Sequence, residues 1–343
     1  MVTSLAIGVP LVIIGGCMEG LYAVPMKYTH RWKWEQIWGA GSFLSLLLVG
    51  WPIVLLTIPN LAAVFAEAGW RNLIAPALYG LAWGAGGIFF GLGVQIVGIA
   101  VGVSLVMGLI AITGSILPLV LYRPEQFGQA SGQLLVVALI VMLAGILLCG
   151  RAGSLRAEAS AASDSSASIK STFGLGLIYC VLSGVLSPMV NFALLKGDFL
   201  REIAIRHGAS PIWAVNAIWF LVFTVAYGLN VAYCLVLIFK NRTLSKQEKA
   251  GSWHHWAMAA TMGVLWAGGI VFYGVGATYM GHLGAYVGWP LQLIFAIGAS
   301  TAVGIALGEW RGAGPRAIRI MSWSLALLLI AAALLGWANR LSV

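Results

Sequence analysis

The chain is a succession of long apolar runs separated by short breaks that hold most of its charge. A helix that crosses a membrane needs about 20 mostly apolar residues. Ten stretches qualify, at about 4–26, 37–58, 73–95, 99–122, 133–150, 173–195, 211–239, 257–278, 283–307 and 317–337. The third and fourth are nearly fused at Gly98, and the eighth and ninth at Gly281, so a tight turn is expected at each.

Those two turns end a repeated segment. Residues 80–98 and 263–281 align without a gap at an offset of 183, with seven identities in nineteen positions. The identical pairs include Trp83/Trp266, Phe89/Phe272, Gly91/Gly274 and Gly98/Gly281. An internal repeat in an apolar chain is a signature of transporters. It divides the sequence into an N-terminal five-helix repeat (1–150), a polar Ser/Ala-rich cytoplasmic linker (151–172) and a C-terminal five-helix repeat (173–343). Five is odd, so the second repeat enters the membrane in the opposite sense. The expected fold is an all-α polytopic membrane protein whose ten transmembrane helices form two inverted five-helix repeats. Such an arrangement places a substrate near the midplane, where the halves meet.

Composition agrees. The 343 residues are 61% hydrophobic and 8% charged, against roughly 25% charged in soluble domains. The formal net charge of +9 does not indicate a nucleic-acid partner, because the basic residues lie in short loops between spans. There they report topology. Thirteen Lys and Arg fall on the side of the loops after helices 1, 3, 5, 7 and 9, and six on the other. Both termini are therefore expected to face the periplasm. The first apolar run lacks a basic leader segment and reads as a retained helix. Cys17, Cys149, Cys180 and Cys234 lie inside spans without metal-ligand spacing.

Glu19 is the acidic residue well inside a span, and it shares a helical face with Gly16, Gly20 and Ala23. Small residues admit a neighbouring helix, so Glu19 should face the bundle. Intramembrane carboxylates form proton relays, and proton coupling is the functional reading, beside a structural hydrogen bond to another helix. Aromatic rings stack on sugar C–H faces while amides hold hydroxyls. Trp38, Trp83, Gln95, Trp266, Tyr273, Trp289 and Gln292 are accordingly the candidate substrate-binding residues, most of them lining one central cavity; each amide alone is more often a helix–helix hydrogen bond than a ligand. Trp32, Trp34, Trp51, Trp70, Trp253, Trp256 and Trp310 lie near span ends, where interfacial anchoring is expected. His254-His255 has no acidic or thiol companion nearby, and G-L-G-V-Q-I lacks the third glycine of a dinucleotide fingerprint. With no nucleophile–base pair or phosphate loop, no enzyme activity, cofactor or metal is expected.

From Tyr22 the chain reads Y-A-V-P-M-K-Y-T-H-R-W-K-W-E-Q-I-W, ending at Trp38. A proline, a basic cluster and W-x-W-E-x-x-W resemble the L-rhamnose–proton symporter family. The resemblance runs on through Trp83-Gly84 and ends at Glu309-Trp310 with Ala313-Gly314. It implies a ten-helix member of the drug/metabolite transporter superfamily in the bacterial inner membrane, moving a deoxy-sugar inward with protons. The chain departs from the family pattern at Tyr28 and Thr29, where more lysine is usual, and at Glu19, where a small apolar residue is usual. Export of another small metabolite, or a non-transporting membrane sensor, are the alternative readings.

Overall fold

The computed structural model describes residues 4–29, 31–122, 128–163, 168–243, 253–280 and 288–341, and among them every regular element is helical. The first is α1 (Leu5–Leu21), which ends in a 3₁₀ turn over Val24–Tyr28 that contains Pro25. The second span is a composite of α2 (Trp34–Ser42), a π-helical stretch (Phe43–Val49) and α3 (Gly50–Thr57). Then come α4 (Leu61–Ala68), α5 (Trp70–Val97), α6 (Ile99–Tyr122), α7 (Ala130–Ser163) and α8 (Ser168–Leu186). The chain continues through α9 (Met189–Lys196), α10 (Asp198–Arg206), α11 (Asn216–Asn241), α12 (Trp253–Met280), α13 (Trp289–Ala306) and α14 (Gly314–Leu341).

Eight helical stretches among the described residues are long and apolar enough to cross a membrane: Leu5–Tyr28, Trp34–Thr57, Trp70–Val97, Gly132–Arg156, Thr172–Lys196, Asn216–Asn241, Trp253–Met280 and Gly314–Leu334. The other two expected spans coincide with α6 and α13, where the apolar helical stretches among the described residues are Ile99–Ile110 and Leu291–Ala306. The protein is polytopic, and its described regular elements are all helical.

Local chemistry explains where the elements depart from the sequence reading. The turn expected at Gly98 is there, with φ +91°, a backbone conformation that glycine adopts without steric penalty; Gly281 lies outside the described residues. The segment 151–172, read as an irregular linker, is helical through Ser163, since its Ala, Leu, Arg and Glu residues favour helix. The sixth span is interrupted between Leu186 and Met189, where Pro188 has no N–H to give to the helix ladder. Two short helices, α4 and α10, stand where loops were expected.

Contacts divide the chain into two compact units, each drawn from both halves of the sequence. The first comprises Met1–Ala23, Phe89–Gly184 and Gly268–Val343. In it α7 packs along α14, tied by Ser324 Oγ donating to the Gly145 carbonyl at 2.8 Å, while α13 packs on both α1 and α6. The second comprises Val24–Ile88 and Val185–Ala267. Its core joins Val54 and Val64 to Leu200, Ala204, Ile218 and Val222. That core explains α10: Leu200, Ile203 and Ala204 form a buried face, and its charged residues lie outside it.

Candidate functional site

In the first unit, glycine lets three helices close around Glu19. A Cβ on Gly15 of α1 would stand 2.8 Å from the Gly269 carbonyl oxygen of α12, and one on Gly16 would collide with the Gln292 backbone of α13. Closest approach of backbones is what small residues provide between membrane helices. Glu19 is thereby brought to Gln292, whose Nε2 donates to Glu19 Oε2 at 2.8 Å. Gln292 is 1% exposed and Glu19 half-buried. Among the described residues no Lys, Arg or His pairs with Glu19. Beside them the Tyr273 and Trp289 rings meet edge to face, with centroids 5.4 Å apart. Tyr22 stacks on Phe90 at 5.1 Å.

The second unit holds an aromatic cluster. Trp83 of α5 meets Trp219 at 6.1 Å, Phe223 at 6.4 Å and Trp266 at 5.9 Å. Trp219 stacks on Phe223, and Phe223 meets Trp266 edge to face. The three tryptophans are half-buried, so each keeps part of its surface uncovered. Nearby in sequence, a Cβ on Gly84 would lie 2.8 Å from Ala226 Cα, which sets α5 hard against α11. This approach lets Asn230 serve three partners. Its Oδ1 accepts from Trp38 Nε1 at 2.8 Å, and its Nδ2 donates to the carbonyls of Ala226 (2.8 Å) and Gly84 (3.3 Å). Trp38 is also stacked on Trp34 at 5.4 Å.

The sequence-derived residues thus fall into groups: Trp83 with Trp266, Trp38 with Asn230, and Glu19 with Gln292 near Tyr273 and Trp289. Gln95 stands apart, exposed on α5, and no hydrogen bond to it is found among the described residues. Trp219 and Phe223 were missed; their i, i+4 spacing on α11 was the available signal. Of the tryptophans read as interfacial anchors, Trp70, Trp253 and Trp256 are exposed, but Trp32, Trp34 and Trp310 are buried. Trp32 stacks on His255, and the Arg156 guanidinium lies over Trp310.

Glu309 has a different task from Glu19. Its carboxylate accepts the N–H groups of Ile99 (2.9 Å) and Ala100 (3.1 Å), the first turn of α6, and lies 3.6 Å from Arg156. Arg156 in turn donates to the Val97 carbonyl at the end of α5. One ion pair therefore caps both helices at the Gly98 turn. Among the described residues no group of His, Cys, Asp and Glu could hold a metal ion.

Comparison with known proteins gives one consistent result. The family model described as L-rhamnose-proton symport protein (RhaT) matches residues 1–340. L-rhamnose-proton symporters of Escherichia coli O17:K52:H18 (strain UMN026 / ExPEC) and Shigella dysenteriae serotype 1 (strain Sd197) are each 24% identical to the chain over 343 residues, covering 98% of it and 98% of their own length.

Proposed function

The chain belongs to the L-rhamnose-proton symport protein family, and from that premise we propose that it is a secondary active transporter taking up L-rhamnose or a related deoxy-sugar with protons. It is a carrier, not an enzyme. The observation that carries the reading is the Glu19–Gln292 pair. An ionisable side chain deep in an apolar span, bonded to an amide and paired with no cation among the described residues, is a residue whose charge can change with access to either side. A deoxy-sugar has an apolar ring face and several hydroxyls. The partly uncovered rings of Trp83, Trp219 and Trp266 suit the face.

The architecture proposed with it has ten spans, α6 and α13 being the fourth and ninth, arranged as inverted repeats over 1–150 and 173–343. Contact between the repeat partners Trp83 and Trp266 supports that relation, because symmetry-related residues touch only near the axis that relates them. The location is the bacterial inner membrane with both termini periplasmic, as the distribution of Lys and Arg indicates.

The test is uptake of labelled L-rhamnose into proteoliposomes against a panel of unlabelled 6-deoxyhexoses and other small metabolites. Competition confined to L-rhamnose and its near isomers is the expected result. Absence of L-rhamnose uptake, or uptake that only an unrelated metabolite inhibits, would overturn the assignment.

A further inference from the structure

Gln292 makes one hydrogen bond where its side chain is built to make more. Its Nε2 donates to Glu19, while its Oε1 is buried with no donor among the described residues. Buried polar atoms in folded proteins nearly always have a partner, so an orphaned carbonyl oxygen points to a donor supplied in some state of the protein. A carboxylate cannot be that donor, because it only accepts. A carboxylic acid carries one O–H and can.

The groups facing Glu19 narrow the choice. On α1 the titratable neighbour is Tyr22, and on α12 it is Tyr273; both lie close enough to interact with Glu19 electrostatically. Helix α13, W-P-L-Q-L-I-F-A-I-G-A-S-T-A-V-G-I-A, contains no titratable residue. Glu19 already accepts from the Gln292 amide, so protonating it puts an O–H donor on the direct partner of that same amide.

We propose that protonated Glu19 donates its O–H to Gln292 Oε1 while Gln292 Nε2 continues to donate to Glu19. The result is a closed acid–amide pair with two hydrogen bonds. The proton comes from water on whichever side has access and returns there. No other bond is made or broken. Gln292 is thus a positioning residue that registers the loaded proton: with the proton aboard the amide is satisfied, and without it one buried oxygen is left bare. That difference ties α1 to α13 more firmly in the protonated state. The inference rests on the reading of Glu19 as the proton site and adds the group that senses it.

Infrared difference spectra of the purified full-length protein, stepped between about pH 5 and about pH 8.5, test it without any transport measurement. The wild-type acid form should give a carboxyl C=O band in the strongly hydrogen-bonded range, absent in Glu19→Gln. In Gln292→Met, which keeps the length but neither donor nor acceptor, that band should move up in frequency towards that of an unbonded acid. An unchanged band in Gln292→Met would overturn the acid–amide pair while leaving Glu19 as a proton site. Absence of any Glu19-dependent band would instead remove the proton-site reading and this inference with it. Should Gln292→Met fail to fold, carbonyl isotope labelling of glutamine in the wild type decides. An amide band must shift in the same step as the carboxyl band and be lost in Glu19→Gln; a static amide band would overturn the proposal.

Discussion

Trp83 and Trp266 occupy the same position in two segments 183 residues apart, and their ring centroids lie 5.9 Å apart. Under the proposed inverted repeat, the axis that exchanges the halves passes beside this contact. Substrate in such carriers sits at the repeat interface. Trp83→Phe and Trp266→Phe keep a ring but give up stacking area, worth about 1 kcal/mol per aromatic pair, or ~5-fold in affinity. Each should raise the KM for sugar by about that factor, measured in initial-rate uptake. Because the two rings touch, the double substitution should depart from the product of the single effects.

Asn230 is expected to matter for stability. Its amide holds Trp38, Ala226 and Gly84 at once and is 4% exposed. Asn230→Leu removes these bonds, a loss of about 1–3 kcal/mol. Thermal unfolding in detergent should show a lower midpoint for Asn230→Leu. Trp38→Phe, which leaves both bonds from Asn230 Nδ2 in place, should lose less.

Glu67 gives the protein an acid-sensitive tie outside its spans. Hydrogen bonds from Arg206 at 2.6 Å and, next, from His207 at 2.7 Å hold the Glu67 carboxyl below the ordinary carboxylate range. The unfolded chain then takes up the proton more readily than the folded one. Stability from this tie between α4 and α10 is complete above the ordinary glutamate range and is lost as pH falls through the depressed value. In Glu67→Gln the acid limb of the stability–pH curve should be flatter.

Eight of the expected spans were legible because a run of about 20 apolar residues is a local signal. The Gly98 turn was legible too, since a repeated glycine marked it twice. Breaks within spans were harder. Pro188 ends a helix that hydropathy alone runs through, and the π-helical stretch over Phe43–Val49 has no compositional mark. Helix α10 was hidden by its charges, although Leu200, Ile203 and Ala204 carry helical spacing. At the candidate site, Glu19 was conspicuous as a lone acid, and the neighbouring glycines gave its direction. Its partner Gln292 lies 273 residues away, and only packing selects it from the other amides. Glu309 shows the same limit: nothing local reveals that it caps α6 across 210 residues.

Topology is open to a direct check. The proposed orientation, drawn from thirteen basic residues against six, puts 155–168 in the cytoplasm and the C-terminus in the periplasm. A phosphatase reporter, active only in the periplasm, should be active at the C-terminus and silent within 155–168. A cytoplasmic reporter should give the opposite pattern.

Glu19→Gln tests the proposed coupling most directly. Glutamine keeps the size and the acceptor oxygen of Glu19 but cannot exchange a proton, and its amide can donate permanently to Gln292. In proteoliposomes, labelled L-rhamnose should accumulate in the wild type when the outside is made acidic. Glu19→Gln should still exchange labelled for unlabelled sugar across the membrane, at a rate within about 10-fold of the wild type, yet show no accumulation driven by the pH gradient. Gradient-driven accumulation that survives the substitution unchanged would contradict the account and place the coupling proton elsewhere in the protein.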